Sequence, residues 1–154
     1  FERTVELGSP LAVNAVNTGM VFPGGTPGDI APQAIESYML RTDPMGGNLI
    51  SLDGFVVFDQ PILGVVTQGN TLDNTDALLG RPGINYNLNE ARGLENPDTF
   101  LISADRLRVD FLYETGTWTD DVRIITAVPE PGSIAMLALA GLTLLRRRSP
   151  MLRS

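Results

Sequence analysis

The chain contains no cysteine, no histidine and no lysine among its 154 residues. Without cysteine there are no disulfides, so the usual compositional clue to an oxidising compartment is silent. The missing Cys and His also exclude structural zinc sites of the usual kind, haem ligation by histidine, thiol nucleophiles and the Ser-His-Asp triad. Carboxylates are the main catalytic groups that remain. The first thirty residues carry no secretory-signal series of positive, apolar and small residues. Because the chain opens at Phe1 and not at a methionine, its natural start is expected to lie upstream.

Charge of one sign is also scarce along most of the chain. Up to Pro131 there are 7 Arg against 18 Asp and Glu; beyond it there are 4 Arg and no acid. An acidic body repels phosphate backbones, which argues against nucleic-acid binding. The separate cationic tail requires its own explanation.

What is present reads as β. Ile50-Ser51-Leu52-Asp53-Gly54-Phe55-Val56-Val57-Phe58 is rich in strand formers and stops before Gln60-Pro61; Ile62 to Thr67 follows, across a hairpin or a corner. From Arg106 to Tyr113 the residues alternate, with Leu107, Val109, Phe111 and Tyr113 on one side and Arg108 and Asp110 on the other. Asp121 to Val128 forms another strand, Val122 and Ile124 opposing Arg123 and Ile125, and Glu114 to Asp120 is expected to join the two as a hairpin loop. Arg3 to Leu7 alternates as well, and residues 34–41 fit a strand or one helical turn. Residues 8–33, centred on Phe22-Pro23-Gly24-Gly25-Thr26-Pro27-Gly28, and residues 69–97, dense in Asn, Asp, Gly and Pro, read as long loops. No internal repeat and no long amphipathic helix is visible. The fold expected is mainly β: a small antiparallel β-sandwich over 34–127, behind a loop-rich, truncated segment 1–33 and ahead of a tail 128–154 with a C-terminal hydrophobic helix.

The tail differs sharply from the body. Val128-Pro129-Glu130-Pro131-Gly132-Ser133 carries two prolines that cannot extend a sheet ladder. An uncharged run from Ile134 to Leu145 follows, with Leu137, Leu139 and Leu142 within it, and Arg146-Arg147-Arg148 closes it. Leu, Ala and Met favour helix, and the arginines favour the cytoplasmic side of a bilayer. Twelve residues at helical rise reach only about 18 Å, against roughly 30 Å of hydrocarbon. That length suits a buried core helix or a signal-like segment better than a permanent span. The core-helix reading fits poorly, because the run is apolar all round and ends in three arginines.

Pro129-Glu130-Pro131, the apolar run and the arginine cluster, in that order, resemble the PEP-CTERM sorting signal of certain Gram-negative and planctomycete bacteria. The resemblance implies an exosortase as partner: a membrane-embedded, transpeptidase-like protease that cleaves near the Pro-Glu-Pro motif and passes the protein to the envelope surface or extracellular matrix. It places the tail in the inner membrane during sorting. The residues after the cluster, Ser149 to Ser154, depart from the pattern, and the apolar run is short for it. In the body, Leu63-Gly64-Val65-Val66, Thr75 to Gly80, Arg92-Gly93-Leu94-Glu95, Ile102 to Arg106 and Asp121 to Thr126 resemble planctomycete proteins that bear the same tail and bring no activity with them.

Chemistry in the body has three candidates, each with a plainer reading. Asp73-Asn74-Thr75-Asp76 offers the hard oxygens that suit Ca²⁺, with Asp73 and Asp76 as ligands, but the spacing departs from an EF-hand loop and an Asx turn explains the same residues. Asp120, Asp121, Asp110 and Glu114 could pair as glycosidase carboxylates, or simply solvate a hairpin. Trp118 and Tyr113 could hold a sugar ring, although Tyr113 falls on the inward register and a lone Trp is more often core. No cofactor is implied. The preferred function is a non-catalytic surface or matrix component, with extracellular polysaccharide as a candidate partner; the alternative is a carbohydrate-binding module or small hydrolase acting on envelope polysaccharide. A concave site with Trp118 or several carboxylates converging would favour the alternative, and scattered residues the first.

Overall fold

The computed structural model of the chain describes residues 1–42, 50–86, 92–115 and 119–129. Among the described residues ten strands and one helix follow one another: β1 (Arg3–Glu6), β2 (Leu11–Val13), β3 (Gly19–Phe22), β4 (Gly28–Ile30), β5 (Ala34–Thr42), β6 (Ile50–Val57), β7 (Ile62–Val66), α1 (Gly69–Leu79), β8 (Thr99–Ile102), β9 (Arg108–Thr115) and β10 (Asp120–Ala127). They form two four-stranded sheets, ordered β1-β5-β10-β7 and β3-β8-β9-β6, and a two-stranded ribbon β2-β4. Every pairing is antiparallel.

The alternation along the strands explains where the core sits. Val122 and Ile124 of β10, with Ile62 and Val65 of β7, meet Phe100 and Ile102 of β8 and Val109 and Tyr113 of β9 in one apolar cluster shared by the two sheets. The opposite side of the first sheet is also covered. There Ile35, Val66 and Ile125 pack against Leu11, Val13 and Ile30 of the ribbon and Leu72 and Leu79 of α1. Strand β10 lies between β5 and β7 and is buried from Asp120 to Thr126, on both faces. A strand flanked and covered on all sides is the most costly element of such a fold to remove.

Several expectations are borne out. The mainly β, antiparallel character holds, as do strands at Arg3–Glu6, Ile50–Val57, Ile62–Val66, Arg108–Thr115 and Asp120–Ala127. Residues 34–42 are a strand and not a helical turn. The link from β6 to β7 is a corner, since the two strands belong to different sheets.

Others are corrected. Residues 8–33 are not one long loop, because they hold β2, β3 and β4. These strands are three or four residues long with one or two buried side chains each, too short to show periodicity between their Gly and Pro turns. Residues 69–97 do not simply run over the surface, because they begin with α1. That helix is built from Asn, Thr and Asp, which are poor formers, and its buried residues Leu72, Thr75 and Leu79 keep a helical spacing. Packing, more than propensity, therefore holds it. The expected hairpin between the last two strands is absent: β9 pairs with β8 and β6, β10 with β5 and β7, so the chain changes sheet between them. The C-terminal hydrophobic helix expected at 134–145 lies outside the described residues. Among the described residues no helix is long and apolar enough to cross a membrane.

Candidate functional site

Two features stand out: a buried arginine–carboxylate network under α1, and the point where β10 releases the chain. The alternation of β10 sends Arg123 toward α1, on the same side as Ile125 and opposite Val122 and Ile124. It is fully buried. A guanidinium carries five N–H donors, and burial is tolerable only if they are used. Here Nε donates to Glu2 Oε2 at 2.8 Å and Nη2 to Glu2 Oε1 at 3.3 Å and Asp76 Oδ1 at 2.7 Å. Nη1 donates to Thr75 Oγ1 at 2.7 Å and to the Leu72 carbonyl at 3.3 Å.

Arg92 forms the second centre. Its Nε donates to Asp121 Oδ2 at 2.9 Å and its Nη1 to Asp76 Oδ2 at 2.6 Å and Asp73 Oδ1 at 3.1 Å. The chain reaches this position because Gln68 and Gly93 form a bridge. Two glycines allow it: Gly93 takes φ 100°, and a Cβ on Gly69 would sit 2.4 Å from the Arg92 carbonyl oxygen. The Tyr86 hydroxyl donates to Glu2 Oε1 and accepts the Arg81 N–H, and its ring lies 5.3 Å from the Arg92 guanidinium. Ser37 Oγ donates to Glu2 Oε2 at 2.8 Å.

The electrostatics follow from these contacts. Burial raises the Glu2 carboxyl, but the hydrogen bonds from Arg123 and Tyr86 and the Arg123 charge outweigh it, leaving Glu2 below its ordinary value. Burial pushes Asp121 above its ordinary value, opposed only in part by Arg41 and Arg92. Its Oδ1 makes no hydrogen bond among the described residues, and Arg41 Nε stands 3.6 Å away. Arg123 is held above its ordinary value: burial lowers it, and the bonds to Glu2 and Asp76 overcome that. A cavity of about 220 Å³ opens beside the network, lined by Asp73, Asp76, Ala77, Ile84, Asn85 and Tyr86.

The sequence candidates fall out as follows. Asp73 and Asp76 sit in α1 instead of an Asx turn, and both face arginine. Among the described residues no group of three or more acidic side chains is placed to hold a metal ion. Asp120 and Asp121 lie in β10, whereas Asp110 and Glu114 lie in β9 of the other sheet, with Asp110 bonded to Arg108. The four carboxylates are thus divided between two sheets. Tyr113 is fully buried and stacks on Phe111 with centroids 4.9 Å apart, so it offers no sugar platform; Trp118 lies outside the described residues. The network itself is absent from the sequence reading. Its one visible signal is Arg123, a charged residue placed between the apolar Val122 and Ile124 of β10.

The second feature lies where β10 ends. Ala127 pairs with Ile35, and its N–H donates to the Pro61 carbonyl at 3.0 Å. Burial then falls away over two residues, so that Pro129 is exposed. Pro129 lacks an N–H and cannot prolong the ladder. Of the sorting residues, Pro129 is described, while Glu130, Pro131, Ile134, Leu137, Leu139, Leu142, Leu145, Arg146, Arg147 and Arg148 lie outside the described residues.

No curated protein and no solved structure matches the chain. Residues 127–149 match the PEP-CTERM protein-sorting motif. The match begins at the residue where β10 ends. The chain thus carries a PEP-CTERM sorting motif, which implies export, processing by an exosortase (a membrane protein) and membrane-associated sorting to the cell envelope.

Proposed function

We propose that the β body is a non-catalytic component of the cell surface or extracellular matrix, delivered through its PEP-CTERM tail. The observation that carries this reading is the start of the motif at the end of the last described strand, where Pro129 is exposed and free of the sheet. In this reading residues 134–145 enter the inner membrane as a short helix, with Arg146, Arg147 and Arg148 on the cytoplasmic side. The exosortase then cuts near Pro129-Glu130-Pro131. The body supports a passive role because Glu2, Asp76 and Asp121 are engaged by Arg123 and Arg92. The carbohydrate-binding and hydrolase alternative gains nothing from Tyr113 in the core or from carboxylates divided between two sheets.

The test is the intact mass of the mature protein, expressed with its secretion signal in cells with and without the sorting protease. Loss of the residues beyond the motif only when the protease is present supports the reading. A mature chain that keeps Arg146 to Ser154 in the strain that has the protease overturns it.

A further inference from the structure

We propose that the fold uses β10 as a latch: the body closes only when this last strand arrives, so the exported chain stays open until little but the sorting segment remains to pass. The coupling to export rests on the sorting reading above; the latch itself rests on the fold.

Three observations carry it. First, β10 is the strand that joins β5 to β7. Without it the first sheet reduces to the β1-β5 pair, and β7 is left with its bonds to the Asn14–Ala15 segment and, at Ile62, to Arg106. Second, β10 closes both apolar clusters, with Val122 and Ile124 on one side and Ile125 on the other. A chain lacking it would expose two cores at once. Third, Arg123 neutralises Glu2, which is 121 residues earlier in the chain, and Asp76 of α1. Until Arg123 arrives, packing β1 and α1 in place would bury Glu2 without its cation, and a buried unpaired carboxylate is strongly disfavoured.

The order of delivery then matters. In a chain exported from its N-terminal side, residues 1–119 emerge before β10. They hold nine of the ten described strands and still cannot close the first sheet. Closure becomes possible when Ala127 clears the membrane, and the sorting motif starts at that residue. The motif is therefore presented by a body that has just folded, and an unfolded chain in transit offers no compact obstacle to the exporter.

Two experiments test this. In the first, the full chain carries a specific protease site inserted after Thr115; the purified protein is cut and its fragments are separated in urea and refolded. The fragment ending at the cut is expected to show no cooperative thermal transition alone, and to regain one when the fragment bearing β10 is added back. A cooperative transition of the first fragment alone, at the temperature of the uncut chain, would overturn the latch. The second uses the unaltered body, arrested during export by a tightly folded stopper domain fused through linkers of graded length. Protease resistance outside the membrane is expected only once the linker lets residue 127 emerge. Resistance with β10 still inside would also overturn it. Removal of the tail by the exosortase, read by mass, fails only if the sorting reading fails, so the two failures are distinguishable.

Discussion

Arg123 Nε lies 2.8 Å from Glu2 Oε2, joining the start of the described chain to its last strand in a pair that is buried on both sides. Truncating a buried ion pair on one side leaves the other charge uncompensated, which costs about 3–5 kcal/mol. Arg123→Leu should therefore lower the urea midpoint by that equivalent, since Glu2 loses its cation and Asp76 one of its two arginines. Arg123→Lys keeps the charge but replaces five donors with three, and should fall between. Equal midpoints for the Leu variant and the native chain would show that the network does not hold β10 in place.

The pH dependence of stability should carry two opposed contributions. Glu2 sits below its ordinary value of 4.5 in the fold, so its contribution is fully present above 4.5 and is lost as pH falls through the folded value. Asp121 sits above its ordinary value of 3.8, so its contribution is fully present below 3.8 and is lost as pH rises through the folded value. Glu2→Gln should flatten the acid limb of a stability-against-pH curve, and Asp121→Asn should steepen it. Denaturant midpoints between pH 3 and pH 7, at roughly constant ionic strength to fix the screening, measure both slopes. The slopes, and not the absolute midpoints, decide the outcome, because each substitution also alters a hydrogen bond.

These groups illustrate what the sequence made legible. The alternation at Leu107 to Tyr113 and the apolar density of Asp121 to Val128 locate β9 and β10 because two-residue periodicity is a local property. Their assignment to different sheets is not local; it depends on which strands fill the space beside them. The helix over Gly69–Leu79 was hidden because Asn, Thr and Asp signal turns, while the spacing of Leu72 and Leu79 is meaningful only with a sheet face to cover. Arg123 shows the same limit. An arginine between Val122 and Ile124 is conspicuous, but nothing near it in sequence reveals that Glu2 supplies the counter-charge. The sorting motif was legible throughout because its information is contiguous.

Tyr113 offers a cleaner test of the core. Its hydroxyl is buried and has no hydrogen-bond partner among the described residues. A buried hydroxyl left unbonded costs about 1–3 kcal/mol. Tyr113→Phe should thus be neutral or stabilising, whereas Tyr113→Ala should cost about 3–5 kcal/mol by opening a cavity against Phe111. Thermal melts of the two variants check this. A Phe variant as unstable as the Ala variant would mean that the hydroxyl, and not the ring, holds the site.

Arg106 adopts φ 61°, a left-handed conformation unusual for a side chain of its size. Its guanidinium compensates by donating to the carbonyls of Ile62 at 2.9 Å and Val16 at 2.6 Å. Arg106→Ala keeps the backbone cost and loses both bonds, while Arg106→Gly loses the bonds but removes a backbone cost of roughly 1–2 kcal/mol. The Gly variant should therefore be the more stable of the two, by about 1 kcal/mol. Chemical denaturation of both, side by side, gives the sign directly.

The last prediction concerns the tail, where the proposed sorting reading has the apolar run from Ile134 to Leu145 hold the motif at a membrane. Leu139 lies at its middle. A leucine at the centre of an inserted helix is favourable by a few tenths of a kcal/mol, and an arginine there costs about 2.5–3.5 kcal/mol on the insertion scale. Because twelve residues already fall short of the hydrocarbon thickness, the run has little apolar length in reserve. Leu139→Arg should consequently abolish exosortase-dependent loss of the tail while leaving the melting temperature of the body unchanged. Leu139→Ile preserves the apolar length and should be processed normally. If the Arg variant is cut as efficiently as the native chain, the Pro129-Glu130-Pro131 tripeptide suffices for recognition and the apolar run does not position it.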